Sequence, residues 1–208
     1  MKYAIAAVIV FVVAVGGYFG YTRYEQQKFQ ELITPHVKLA SLRLANAVRY
    51  ETEKDTKITY KELFEKLESD VSEIDKRIID VQIIATSDNK DITDPVLAYL
   101  KGSQELLRAI LQKYRKRLSV SSSRDWLDRE MKDLRSASYY SVESAAKSAK
   151  KALEDYKKAI TEYEDAVAGV LGAAKKMADV HAKVAPIIRS DALTDVAVFQ
   201  AIAQENEK

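Results

Sequence analysis

The chain has 208 residues, with 33 Lys and Arg against 31 Asp and Glu, two His and no Cys. The missing Cys excludes disulfide frameworks, thiolate metal sites, iron–sulfur clusters and cysteine nucleophiles. A formal charge of +2 with the two signs interleaved predicts no general attraction to nucleic acid.

The first predicted element is a membrane segment. Residues 3–21 read YAIAAVIVFVVAVGGYFGY without a charge, and as a helix they span roughly the ~30 Å hydrocarbon core. Tyr3 at one end and Tyr18, Phe19, Tyr21 and Tyr24 at the other resemble interfacial aromatic belts. The expected domain plan is a signal anchor over 1–24 and a helical domain over 25–208. Met1-Lys2 before the apolar run gives a bacterial-type inner-membrane anchor with the C-terminal domain periplasmic. The alternatives are a cleaved secretory signal after Ala14-x-Gly16 and a cytoplasm-facing domain. Gly16-x-x-x-Gly20 is the one candidate for close helix packing inside the membrane.

The remainder reads as all-α: an antiparallel helical bundle with long, coiled-coil-like helices. Three Pro and three Gly serve everything after Tyr21, too few for the turns of a β domain. Thr34-Pro35 and Asp94-Pro95 read as a cap followed by a first helical position, and Pro186 as the start of a short terminal unit. Thr59-x-x-Glu62 is a capping box. Helices are thereby expected over about 35–55, 60–86, 94–118, 124–185 and 191–203, with connections at Asp88-Asn89 and at Ser119 to Ser123. The fourth would be about 90 Å long, so either it breaks or bends near 136–141, where Ser and Tyr cluster, or part of it projects and needs another chain.

Apolar residues recur at steps of four and three in Tyr60, Phe64, Leu67, Val71, Ile74, Ile78 and Val81, and in Leu97, Leu100, Gln104, Leu107, Leu111, Tyr114 and Leu118. The longest stripe runs Ala149, Leu153, Tyr156, Ile160, Tyr163, Val167, Val170, Ala174, Met177, His181, Val184. Ile79, Ile83, Ile84, Leu106 and Ile110 widen the stripes enough for a bundle core.

Catalytic signatures are missing. A di-metal bundle site needs Glu-x-x-His pairs, but Ile33 and Ala178 stand three before His36 and His181. Paired acids such as Glu162, Glu164 and Asp165 alternate with lysines as on a solvated helix face. No cofactor, metal site or catalytic residue is therefore expected.

Two features remain as candidate interaction sites. Lys113, Arg115, Lys116 and Arg117 cluster at the expected end of the third helix, either offsetting its dipole or forming a basic tip for a partner. Trp126, Tyr139 and Tyr140 are aromatics in a region of small residues, and aromatics are enriched where partners bind. The expected function is a membrane-anchored, non-catalytic structural or interaction component, an adaptor or scaffold, with a protein partner or a second copy of itself. The alternative is an extracytoplasmic sensor or ligand-binding module that signals through another subunit, its ligand seated between helices.

Overall fold

The computed structural model describes residues 26–50, 58–188, 190–195 and 197–199, and these contain helices and turns but no strand. Four long helices follow in order: α1 over 26–50, α2 Tyr60–Ile84, α3 Lys90–Ser136 and α4 Val142–Val184. Short 3-10 turns occupy Ser87–Asn89 and Ser190–Ala192. The membrane segment over 3–21, with Gly16 and Gly20, lies outside the described residues. Among the described residues no helix is long and apolar enough to cross a membrane.

Local chemistry explains the ends. Thr59 accepts from the amide of Glu62 while the Glu62 carboxylate takes the amide of Thr59, so the capping box opens α2 with two otherwise orphaned donors satisfied. Asn89 braces the turn into α3: its amide oxygen accepts from Thr86 N and its nitrogen donates to Ile84 O. At the far end Ala185 caps α4 through His181 O. Pro186 follows immediately, where a residue without an amide hydrogen cannot extend the helix.

Several sequence expectations are corrected. Thr34-Pro35 does not start a helix, because α1 is already helical at 26. The Thr34 hydroxyl instead donates to Gln30 O at 2.6 Å, and the imino nitrogen of Pro35 leaves the Glu31 carbonyl without its usual donor. Pro95 sits inside α3, five residues after its start. Ser119 to Ser123 is not a connection, since α3 runs through it to Ser136. Ser122 folds its hydroxyl back onto Leu118 O at 3.0 Å, which satisfies a polar group without leaving the helix. Half-buried Val120, Ser123, Leu127 and Leu134 keep one face on α4, and that packing outweighs the weak intrinsic preference of serine against helix. The expected 124–185 helix is interrupted at Ala137 to Ser141 by a full reversal, not a bend. There Ala137 is extended (φ −65°, ψ 137°), and Ser141 N and Val142 N both donate to Ser138 O at 3.0 Å. The expected helix over 191–203 is likewise not continuous: Thr194 and Asp195 are non-helical, and helix resumes at 197–199, with Asp195 Oδ1 accepting from Ala197 N at 2.9 Å.

Ion pairs fix the antiparallel order. Arg43 of α1 reaches Asp70 and Glu73 of α2. Arg108 and Arg115 of α3 reach Asp75 and Glu68 of α2. Lys116 of α3 reaches Glu162 of α4, and Lys176 of α4 reaches Glu105 of α3. Lys66 lies 5.2 Å over the Tyr50 ring, so the last described residue of α1 is level with Arg115 and Glu162. The core between the four helices is built from Ile33, Val37 and Leu44 of α1, Leu67 and Ile74 of α2, Tyr99, Leu106, Leu107 and Ile110 of α3, and Met177 of α4, all fully buried. Leu106 and Ile110 are thus core, whereas Ile79 and Ile83 face solvent.

The α3–α4 seam is closer than the apolar stripe alone suggests. Its buried row on α4 passes through Ala152, Ala159 and Ala173, while Leu153 is 41% exposed. At Gly102 an added Cβ would stand 2.6 Å from Met177 Sδ, so glycine there permits the approach. Beyond the four-helix section α3 and α4 continue as a two-helix hairpin. Judged from helical rise, its turn stands roughly 30 Å past Tyr50 of α1 and roughly 20 Å past the start of α2.

Candidate interaction surface

The hairpin turn is the most exposed aromatic feature of the described chain. Tyr139 and Tyr140 are 89% and 96% exposed. Their rings meet edge to face at 5.6 Å, a favoured aromatic arrangement. The turn is held by Ser138 and Ser141, whose hydroxyls pair at 3.0 Å. Trp126 does not join them. It lies ten residues before the end of α3, roughly 15 Å along the helix, half-buried, with Nε1 donating to Glu130 at 2.9 Å.

The basic cluster is not at a helix end, because α3 runs on to Ser136, roughly five turns beyond it. It marks the shoulder where the hairpin leaves the four-helix section. There Arg115 pairs with Glu68 and lies over the Phe64 ring at 5.9 Å. Lys116 donates to Glu162 at 2.6 Å, a hydrogen bond that, ahead of the lysine's charge, holds the Glu162 carboxyl below the usual carboxylate range. Lys113 is also engaged. Arg115 and Lys116 therefore serve structural ion pairs, and Arg117 is exposed without a described contact. Beside Lys116 and Glu162 an open groove of about 370 Å³ runs between α3 and α4 over Ala109, Ala166 and Gly169.

A buried polar cluster that sequence reasoning did not assemble ties the C-terminal segment to the bundle. Tyr99 OH and Ser41 Oγ share a hydrogen bond of 2.7 Å. Thr194 Oγ1 donates to Ser41 O at 3.0 Å, and Thr194 O pairs with His181 Nε2 at 2.9 Å. The His181 ring sits between those of Tyr99 and Phe199 at 6.4 and 6.0 Å. Burial pushes the Tyr99 hydroxyl pKa up, against the hydrogen bonds from Ser41 and Thr194, so it stays a neutral donor and acceptor. Ser41 stands at the helical spacing of Val37, Leu44 and Val48, a polar residue in an otherwise apolar stripe; Thr194 lies outside any periodic pattern and carries no such signal. His36 is mid-helix, its Nδ1 3.9 Å from Asp80 Oδ2. Burial first, then Arg77, lowers its pKa against the pull of Asp80.

Among the described residues no group of three or more His, Asp or Glu converges as a metal site. Comparison of the chain with protein families, with curated proteins and with solved structures finds no match.

Proposed function

We propose that this chain is a membrane-anchored, non-catalytic structural or interaction component, in which the apolar segment 3–21 tethers a helical bundle and the α3–α4 hairpin is the element offered to a partner. One observation carries the reading. The described start of α1, nearest the apolar segment, lies at the end of the bundle opposite the hairpin, so an anchor at one end leaves Tyr139 and Tyr140 distal from the bilayer. Exposed aromatics at the end of a rigid two-helix arm suit a docking role, because Tyr offers large contact area at low entropic cost. The orientation in this proposal is extracytoplasmic.

The test begins with membrane fractions of cells producing the full chain, washed with carbonate and then treated with protease from the outside of spheroplasts. The expected result is retention in the membrane and cleavage of the bundle. Release by carbonate overturns the anchor, and protection from protease overturns the orientation. Cross-linking then compares the parent with the Tyr139→Ser/Tyr140→Ser variant; unchanged products would remove the turn from the docking role.

The open groove over Ala109, Ala166 and Gly169 favours a second reading, a ligand-binding or sensing module. A thermal-shift screen of small apolar and anionic metabolites tests it, and no stabilisation at millimolar ligand counts against it.

A further inference from the structure

We propose that the C-terminal segment Ile188 to Phe199 is a latch, one that opens as a unit while the four long helices stay folded and thereby bares a groove between α1 and α4. This goes beyond the interaction reading above and rests on neither the membrane anchor nor the hairpin.

What the segment touches defines the groove. Thr194 stands between the first and last long helices, its hydroxyl donating to Ser41 O of α1 and its carbonyl paired with His181 Nε2 of α4. Phe199 sets its ring edge to face with that of His181, and the paired hydroxyls of Ser41 and Tyr99 form the floor. Ile188, Ala192, Thr194 and Phe199 are all buried. Yet the segment has little structure of its own. Thr194 and Asp195 are non-helical, and the backbone bonds described for the segment are local, from Ile188 N to Val184 O and from Val198 N to Asp195 O. Its order therefore comes from docking, and a docked segment has an undocked alternative.

Two properties let it leave alone. Its departure strands no buried polar group. Ser41 O lies inside α1, where the amide of Ala45 is its regular helical partner, and Ser41 Oγ keeps Tyr99 OH at 2.7 Å. That leaves His181 Nε2, which water reaches through the opened groove. A donor or acceptor left dry would hold the segment shut, and none arises. The second property is where the core lies. Leu67, Ile74, Leu106 and Ile110 are fully buried on α2 and α3, the pair opposite the groove, and their packing does not pass through the segment. Opening of this kind falls between fraying and global unfolding. Closed, the latch ties α1 to α4 through Thr194; open, it leaves α1 held by Arg43 on Asp70 and Glu73 and by Ser41 on Tyr99.

The Cys-free chain makes the opening measurable. Full-length Ala192→Cys puts a thiol in the latch, and full-length Ala174→Cys puts one in the four-helix section, both at sites no more than 2% exposed. Each variant is checked for parental helix content, and its labelling by a thiol reagent is followed at rising urea below the unfolding transition. A latch gives labelling at 192 about 100-fold or more faster than at 174, with a shallower urea dependence because less surface is exposed in the opening. Equal rates with equal urea slopes mean that the segment opens only with the whole fold, and overturn the proposal. Thr194→Val, added to each variant, keeps the shape and removes the bond to Ser41 O. It should speed labelling at 192 about fivefold and leave 174 unchanged; acceleration at both positions alike, or at neither, overturns the latch. Amide exchange reads the parent chain without substitution, and protection of the Val198 amide as high as that of the buried stretches of α2 and α3 would overturn it as well.

Discussion

Asp70 is a carboxylate placed where burial and a cation oppose each other. It is 7% exposed on α2, with Arg43 Nε 3.3 Å from its Oδ1, while the same guanidinium donates to Glu73 at 2.6 Å. Desolvation outweighs Arg43, and the Asp70 pKa is raised, with Glu73 adding to the rise. A native pKa above the unfolded one means the folded chain holds the proton more tightly. Stability from Asp70 is therefore present below about pH 3.9, the unfolded value, and is lost as pH rises through the raised native value. Asp70→Asn cannot ionise, so the variant should gain on the parent as pH rises from 3.5 toward 7, read as the difference in urea midpoints. A difference that moves the other way would show that Arg43 outweighs burial. Nothing in the residue pattern announces this: Asp70 follows Leu67 at three residues, a core position, but only tertiary packing brings Arg43 over it.

At the level of elements, what was legible depended on whether a signal was local. The Thr59 box and the Ser-Tyr cluster at 137–141 act within one turn of chain, and both mark real ends. The Ser119 to Ser123 run also looked local, yet its fate is decided by alanines about forty residues later in α4, which draw α3 close enough to bury Val120 and Leu127 in part. Pro35 and Pro95 failed as start signals for a related reason, since a helix already packed on both sides tolerates one lost bond. The stripe of α4 gave the period correctly, but it could not say which flank would meet α3. The cross-chain partners of Thr194 had no signature at all. A substitution tests the continuity of α3. Ser121→Pro removes the amide that would bond Arg117 O and sets its ring against that carbonyl, at about 3 kcal/mol in a helix interior. It should lower ellipticity at 222 nm and speed amide exchange on either side of 121. Ser138→Pro should cost less, because Ala137 already has the extended backbone that a following proline demands and only the exposed hydroxyl pairing with Ser141 is lost. Equal, small effects from both would restore the run as a connection.

Considered whole, the molecule is one four-helix section whose longest pair outgrows the other two, and the two parts differ in how they are held. The section is closed by fully buried side chains from all four helices and by Thr194 bridging Ser41 and His181. In the hairpin only Ala149, Ala152 and Ala159 are buried, so order there is lent by continuity with the section below. The turn is consequently the weakest covalent link to sever and the least needed for the fold. Brief chymotrypsin digestion of the monomeric chain should cut first after Tyr139 or Tyr140, which are nearly fully exposed in a five-residue turn. The fragments meeting there retain the lower α3–α4 interface, where Leu106, Met177 and Val184 are fully buried, and should co-elute on gel filtration with most helix content intact. Separation of the fragments would mean that the turn, not the section, holds α4 in place. First cleavage elsewhere would mean that some other segment opens more readily than the turn, and the hairpin could not then be the arm through which the chain meets its partner.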